Sequence, residues 1–278
     1  MRDWLIYKTF WDLTVTGVAL GSLYALVALG YTLVYGVLRL INFAHSEIFM
    51  IGTFASLITA TNVLGVPMLE AGQYPYRTGF QLVLILLACL LGSMVLSGAG
   101  AVALERAAYR PLRGSGDQFG AVVLAFVTAF VVGLVFFDTP KSNLIFGIIG
   151  TGPIAWMYLN IFRRGRQAPR LAFLISAIGA STAITEAVAI WGPRDREQYQ
   201  TPRVLEKKTL FQLFGTHIRI DYVIVIIGAL LMTTALLLFV NRTRLGRGVR
   251  AVAQDVETAK ILGVNVDFVI LITFVLGG

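Results

Sequence analysis

Long apolar runs separated by short polar stretches dominate the pattern of this chain. Each run has roughly 20 residues, the length that an α-helix needs to cross the hydrocarbon core of a bilayer. Such runs are too long for buried strands, and irregular backbone is not tolerated against lipid. The pattern therefore predicts an all-α bundle of transmembrane helices, with spans at residues 13–38, 47–66, 80–104, 119–137, 143–162, 171–191 and 222–240.

The composition agrees with a membrane protein. The chain is 57% hydrophobic and 14% charged, with a mean hydropathy of +0.77, whereas a soluble domain is about a quarter charged. The first run lacks the basic segment and the small-residue cleavage pattern of a signal peptide, so we expect a retained helix. These features predict one transmembrane domain over residues 1–278 that crosses the cell membrane several times.

A further apolar run begins at residue 268 and extends to residue 278. At the helical rise per residue, this run covers only about half of a span. Half a span cannot complete a membrane domain. We therefore expect the chain to be a C-terminally truncated form of a longer protein.

The net charge is +8. Because Lys and Arg lie in short blocks between the apolar runs, their distribution reflects the orientation of the chain in the membrane rather than nucleic-acid binding. Placing the N-terminus outside the cell puts most of these blocks in the cytoplasm. The loop at 192–221 carries six further bases, partly offset by acids, and weakens the bias. The cytoplasmic blocks are Arg39; Arg106, Arg110 and Arg113; Arg163, Arg164, Arg166 and Arg170; and Arg242, Arg244, Arg247, Arg250 and Lys260.

The runs also carry signals for helix packing. In the first run, Gly17, Gly21 and Ala25 recur every four residues and place small groups on one helix face. Helices can approach closely at such a face, either as ordinary packing within the bundle or as a moving interface.

The runs at 119–137 and 143–162 are rich in Phe, Val and Ile and are joined by a short turn. They predict a lipid-facing helical hairpin within an inserted segment at 117–169.

Two groups of polar residues are candidates for contact with a solute. Glu186 lies inside a predicted span with Thr182 one turn earlier, and a carboxylate there is costly unless it is paired, protonated or facing water. Asn42 and His45 follow the first run and share a helix face if the helix continues. Each group has a structural alternative: an interfacial position or a hydrogen bond for Glu186, and a locally satisfied, capped turn for Asn42 and His45.

The segment at 241–267 is polar but keeps a helical period. Its apolar positions predict a short amphipathic helix outside the membrane. Such a helix could lie on anionic lipid as an anchor or dock into a groove on another protein. The apolar face comprises Val249, Val252, Ala253, Val256, Ala259 and Gly263, and the polar face comprises Arg250, Gln254, Asp255, Glu257 and Thr258.

Several chemistries are not supported by the sequence. No GxxxxGK[ST] motif is present to bind nucleotide phosphates, so we do not expect the chain to hydrolyse ATP. No HExxH motif is present, and His45 and His217 are the only histidines, which argues against a zinc site or a His-dependent hydrolase. The single cysteine, Cys89, is expected to serve packing. We therefore expect no catalytic residues, no metal and no cofactor.

Four stretches resemble one family of membrane proteins. The stretch "GSLYALVALGYTLVYGVLRLINFAHSEIFMIGTFASL" resembles the first two spans of LivH-type permeases, the branched-chain amino acid subunits of ABC importers. The stretch "LGRGVRAVAQDVETAKILGVNVDFVILITFVLGG" resembles the cytoplasmic loop and the following span of the same family. The stretches "LERAAYRPLRGS" and "PRLAFLISAIGAS" match the segments between them. From these motifs the chain is identified as a member of this family.

The resemblance implies a transport subunit in a prokaryotic cell membrane. It implies a second permease of the LivM type, two cytoplasmic ATPase subunits, an extracytoplasmic solute-binding protein and surrounding lipid as partners. It favours protein docking over lipid anchoring for the 241–267 segment, with Val249, Val256 and Ala259 as the packing face. The residues it assigns to coupling are Gly246, Arg247, Arg250, Ala251, Asp255, Ala259 and Gly263. Asn42, His45, Glu186 and Thr182 would then lie nearest the path of the amino acid.

The chain also departs from the family pattern. The segment from Asp117 to Pro169 interrupts the expected run between two matching stretches, and Ser46 replaces the usual glycine. Nothing in the residues distinguishes branched-chain amino acids from urea or short amides as the solute. A passive channel and a non-transporting fragment also remain open, although a channel would have no use for the amphipathic segment.

Overall fold

A computed structural model of the chain describes residues 2–67, 79–113, 170–191, 204–205, 209–213 and 216–278. The predicted runs at 119–137 and 143–162, and with them the inserted segment at 117–169, lie outside the described residues. Within the described ranges the chain is helical apart from one short β-hairpin, and this confirms the all-α membrane fold.

Eight α-helices are found in the described residues, together with two π-helical turns and one 3₁₀ turn. The first five are membrane-length or shorter apolar helices, and the last three follow one another closely at the end of the chain. The helices are α1 (Arg2–Leu38), α2 (His45–Ile58), α3 (Gly79–Leu104), α4 (Arg170–Trp191), α5 (Ile220–Arg242), α6 (Arg244–Gln254), α7 (Val256–Ile261) and α8 (Val266–Gly277).

Three helical stretches among the described residues are long and apolar enough to cross a membrane: Thr9–Leu38, Gly79–Tyr109 and Ile220–Arg242. They correspond to the runs predicted at 13–38, 80–104 and 222–240. The run predicted at 171–191 is occupied by α4, and the run that begins at residue 268 lies in the shorter apolar helix α8. Little of the three long helices is buried within the chain, which leaves their apolar surfaces for lipid or other subunits.

Two helices end in π-helical turns that the apolar pattern did not predict. The run predicted at 47–66 forms α2 as far as Ile58 and then a π-helical turn at Thr59–Val63. Helix α3 is followed by a second π-helical turn at Glu105–Tyr109, and a 3₁₀ turn at Pro111–Arg113 comes next. In a π-helix each amide donates to the carbonyl five residues earlier, and such turns are common at functional sites.

The β-hairpin lies in the loop that precedes α5. Strand β1 (Thr209–Leu213) pairs with β2 (Thr216–Arg219) in antiparallel register. The Arg219 guanidinium forms an ion pair with Asp221 and lies 4.7 Å from the ring centroid of Tyr222. The hydrogen bonds that the Arg219 guanidinium donates to the Asp221 carboxylate raise the pKa of Arg219 above its usual range. The contact between Arg219 and Asp221 therefore joins the end of the hairpin to the first turn of α5.

The chain divides into two compact units. The first comprises described residues within Met1–Leu33, Ala55–Gly92 and Thr201–Val269, and the second comprises those within Val34–Phe54, Ser93–Gln200 and Ile270–Gly278. In the first unit, α5, α6 and α7 pack in succession. In the second unit, the ends of α1 and α3 meet parts of α2, α4 and α8 around a core that includes Ala44, Ile48, Ala101, Tyr109 and Phe274.

The small-residue face of α1 is open within the described residues. Gly17, Gly21 and Ala25 are all exposed. A Cβ atom built on Gly17 or Gly21 would meet no atom within 4 Å. Close packing of a second helix on this face therefore stays a prediction.

Candidate functional site

The 241–267 segment folds into two short helices rather than the single helix that its period predicts. Helix α6 begins one residue after Thr243, earlier than the apolar pattern suggests, and ends before Asp255. Asp255 adopts an extended backbone conformation and caps α7. The prediction of one helix was wrong because a capping residue interrupts the period at Asp255.

Thr243 and Asp255 supply the two caps. The Thr243 hydroxyl donates to the Phe239 carbonyl oxygen at 2.7 Å and accepts from the Gly246 amide at 2.9 Å, so it joins the end of α5 to the start of α6. The Asp255 carboxylate accepts the Glu257 amide at 3.0 Å and the Thr258 hydroxyl. Each cap satisfies an amide that a helix start leaves free.

Helix α6 is pressed tightly against the end of α5. A Cβ atom on Gly246 would overlap the backbone carbonyl oxygens of Phe239 and Val240, so only glycine fits this approach. Arg250 donates to the Val240 carbonyl oxygen from the next turn of α6. A cation at this position also suits the negative end of the α5 dipole. Gly246 and Arg250 therefore hold α6 in a fixed position against α5.

The two faces of the segment match the predicted amphipathic pattern. Val249, Val252 and Ala259 are 4%, 1% and 2% exposed. All five residues predicted on the polar face are exposed, as is Arg247, while Val256 and Ala251 are half-buried. Gly263, which the helical period assigns to the apolar face, is instead exposed and ends α7 with a φ of +82°.

Gly263 has a conformational role at the end of α7. Its amide donates to the Lys260 carbonyl oxygen at 3.0 Å, and the Val264 amide donates to the Ala259 carbonyl oxygen at 3.0 Å. This pair of bonds is the Schellman arrangement, in which the left-handed residue is usually glycine. The chain can then turn from α7 into α8.

Two apolar side chains protrude next to that turn. Ile261 is 85% exposed and Leu262 is 74% exposed, beside the exposed ion pair of Lys260 and Glu257. Sequence reasoning missed both residues, because the helical period alone does not show where α7 ends. Exposed apolar side chains beside charged groups are a feature of surfaces that bind a protein or a membrane.

In the second unit, Asn42 and His45 lie at the turn between α1 and α2. Helix α1 ends at Leu38, and Arg39 adopts a φ of +52°. Asn42 is 3% exposed and His45 is 5% exposed, and His45 is the first residue of α2. The Asn42 side-chain oxygen accepts the Ala44 amide at 3.1 Å, which supports the alternative of a locally satisfied turn.

Tyr109 reaches the same Asn42 oxygen from the second π-helical turn. Its hydroxyl donates to Asn42 Oδ1 at 2.9 Å, and Tyr109 itself is 0% exposed. The Tyr109 ring lies against Phe274 of α8 and Phe173 of α4, with centroid separations of 5.1 and 6.4 Å. We call these four residues, Asn42, Tyr109, Phe173 and Phe274, the buried junction.

Two further polar contacts hold the second π-helical turn. Glu105 is 2% exposed and forms an ion pair with Arg113. The Ser176 hydroxyl of α4 donates to the Ala108 carbonyl oxygen at 2.9 Å. Carbonyl groups near a helix end have no partner within the helix, and Ser176 supplies one. Both ends of this π-helical turn are therefore tied to polar side chains.

Glu186 and Thr182 are both half-buried on α4. The Thr182 hydroxyl donates to the Ile178 carbonyl oxygen of its own helix at 3.0 Å. The structure does not bring either residue together with Asn42 or His45 in a hydrogen bond among the described residues. The four predicted path residues therefore form two separate groups: a buried turn and a partly accessible face of α4.

No group of three or more His, Cys, Asp and Glu side chains that could hold a metal is found in the described part of the chain. The charged and polar groups instead serve helix caps, ion pairs and helix ends. The features left for chemistry with other molecules are the outer face of α6 and α7 and the partly accessible face of α4.

Comparison with known proteins gives a consistent result. A family described as "Branched-chain amino acid transport system / permease component" matches residues 13–278. The high-affinity branched-chain amino acid transport system permease protein BraD of Pseudomonas aeruginosa is 30% identical over 266 residues, which cover 95% of this chain and 65% of BraD. The corresponding permease protein LivH of Escherichia coli K12 is 31% identical over 267 residues, which cover 94% of this chain and 64% of LivH.

The chain thus spans slightly less than two thirds of the length of these curated relatives. No solved structure shows a significant match. The family match nevertheless extends over most of the chain, including α1 from residue 13 onward, the buried junction and the 241–267 segment. The chain belongs to the family of permease components of branched-chain amino acid transport systems.

Proposed function

We propose that this chain is the membrane-spanning permease subunit of an ATP-driven ABC importer for branched-chain or related neutral amino acids. The family, and the transport systems for which BraD and LivH are named, support the transport role. The partners in this proposal are a second permease of the LivM type, two cytoplasmic ATPase subunits and an extracytoplasmic solute-binding protein. The location is the cell membrane of a prokaryote.

The observation that carries the proposal is the construction of the 241–267 segment. Its inner face is fixed to α5 by Gly246, Thr243 and Arg250. Its outer face carries charges and the protruding Ile261 and Leu262. A segment fixed on one side and exposed on the other can transmit the movement of a docked protein, whereas a loose lipid anchor needs no such fixation. ATP hydrolysis then takes place on the docked chain.

Within this proposal, Glu186 and Thr182 are the residues of α4 nearest the path of the amino acid. A zwitterion needs hydrogen bonds more than net charge, and a half-buried carboxylate and hydroxyl on one helix face can provide them. Asn42 and His45, buried at the turn between α1 and α2, are the other two residues that we place near the path. The hydrogen bond from the Ala44 amide to Asn42 supports the alternative in which they cap that turn.

Co-purification with the ATPase subunit tests the docking role. Ile261→Ser and Leu262→Ser together remove the protruding apolar groups without touching a buried contact. Because such groups often dominate an interface, we expect ATPase binding to fall at least about tenfold, measured by titration of the ATPase onto the permease in nanodiscs.

The matched control is Leu210→Ser on β1. Leu210 is 50% exposed and undergoes the same chemical change, but it lies in the loop before α5. This control should leave ATPase binding unchanged. If the 261/262 variant bound the ATPase as tightly as the control, the 241–267 segment would not be the docking site.

A further inference from the structure

The buried junction joins parts of the second unit that are far apart in sequence. Asn42 and Tyr109 are separated by 67 residues and meet through one hydrogen bond of 2.9 Å. Phe173 and Phe274 bring α4 and α8 against the same Tyr109 ring. Tyr109 is therefore in contact with three other elements: the turn after α1, α4 and α8.

The side-chain oxygen of Asn42 accepts two hydrogen bonds in this junction. A carbonyl oxygen has two lone pairs, and Asn42 Oδ1 accepts from both the Ala44 amide and the Tyr109 hydroxyl. The first bond shapes the turn itself, and the second attaches the turn to the π-helical segment. A change at Tyr109 can therefore release the turn without unfolding it.

The segment that carries Tyr109 can change its backbone pairing. In the turn Glu105–Tyr109, the Arg110 amide donates to the Glu105 carbonyl oxygen five residues earlier, at 2.8 Å. A return to α-helical pairing would move the acceptor of the Arg110 amide from the Glu105 to the Arg106 carbonyl oxygen and rotate the side chains at the end of α3. Tyr109 would then move away from Asn42.

We propose that Tyr109 is a positioning residue whose hydroxyl, bonded to Asn42 Oδ1, holds the turn at 39–44 in register with the π-helical end of α3, and that this bond opens during the transport cycle. The second part rests on the proposed function. Phe274 lies on α8, the helix that follows the 241–267 segment along the chain. Movement of α8 would thus reach the Tyr109 ring directly.

Tyr109→Phe tests the proposal because it keeps the packed ring and removes only the hydroxyl. The matched control is Ser176→Ala, which removes a second buried hydroxyl bond of 2.9 Å to the same π-helical turn, at the Ala108 carbonyl. If the bond to Asn42 is specific, only Tyr109→Phe should release the turn. General weakening of the core would affect both variants alike.

The distance between two spin labels measures whether the turn stays in position. The labels are attached at Ile41→Cys and Arg106→Cys, two exposed positions in the second unit. Cys89 is replaced by alanine so that it carries no label. The full chain in nanodiscs should give one distance population, as should Ser176→Ala. Tyr109→Phe should add a second population. An unchanged distribution in Tyr109→Phe, or the same broadening in Ser176→Ala, would overturn the proposal.

The role in transport is read from leucine uptake and ATP hydrolysis by the assembled transporter in the same proteoliposomes. The loss of one buried hydrogen bond, about 1 kcal/mol, shifts a two-state equilibrium about fivefold. Tyr109→Phe should therefore lower uptake per ATP hydrolysed, by up to about fivefold, and Ser176→Ala should not. A second distance population without this loss would overturn the coupling role. If the unaltered transporter took up no leucine with ATP, the proposed function would fail, and the label distances alone would still decide the positioning.

Discussion

At Gly246, the backbone of α6 touches the last carbonyl groups of α5. No side chain fits between them, since a Cβ atom would overlap the oxygens of Phe239 and Val240. Backbone cannot move aside as a flexible side chain can, so an added methyl group must displace a whole helix. The position of α6 thus depends on the absence of a single carbon atom.

Gly246→Ala is therefore expected to destabilise the chain by about 1–3 kcal/mol, the usual cost of overpacking. Thermal unfolding of the purified protein in detergent measures this cost. Gly228→Ala on α5 is the control, because a Cβ atom at Gly228 meets nothing within 4 Å. Equal melting temperatures for the two variants would show that α6 does not pack on α5 in this way.

Sequence alone shows part of this residue-level detail. Threonine is a residue type that caps helix starts, but the apolar period alone starts the helix later, at Val249, and does not select Thr243. The contact between Asn42 and Tyr109 gives no comparable signal, since nothing in either local pattern selects a partner 67 residues away. The protruding Ile261 likewise reads as an ordinary apolar position until the end of α7 is known.

At the scale of elements, α7 is too short to be stable by itself. It has six residues, and isolated helices need about 12–15 residues to be even marginally stable in water. The Asp255 cap and the Gly263 turn therefore fix both of its ends. These two ends also determine where Ile261 and Leu262 point.

Asp255→Ala should loosen α7, because the loss of a cap costs about 1 kcal/mol. Hydrogen exchange at residues 256–261 should become faster, by about fivefold for that free energy. Asp255→Asn keeps an acceptor oxygen and should retain slow exchange. If Asp255→Asn exchanged as fast as Asp255→Ala, the charge rather than the cap would be what stabilises α7.

The helical period predicted the faces of this segment but not its division into two helices. Val249, Val252 and Ala259 are buried because a period of 3.6 residues places them on one side. The break at Asp255 depends on one residue that also fits the polar face of a continuous helix. The apolar period gives no sign of the π-helical turn at Glu105–Tyr109, in which the Tyr109 hydroxyl donates to Asn42 far away in sequence.

At the scale of the molecule, hydropathy predicts the three long apolar helices found in the described ranges, because a helix in lipid must satisfy its backbone polar groups by its own hydrogen bonds. The same argument cannot tell which helix surfaces meet lipid and which meet other subunits. Gly17, Gly21 and Ala25 illustrate this, since their small-residue face is exposed in the chain by itself.

In the proposed transporter, a separate ATPase subunit binds the outer face of α6 and α7. A photoreactive amino acid in place of Ile261, activated in membranes that contain the whole transporter, tests this binding most directly. A second probe in place of Leu210 serves as the control. The account predicts that the probe at 261 forms a covalent adduct with the ATPase subunit and that the probe at 210 does not. Adducts with lipid alone at 261 would contradict it.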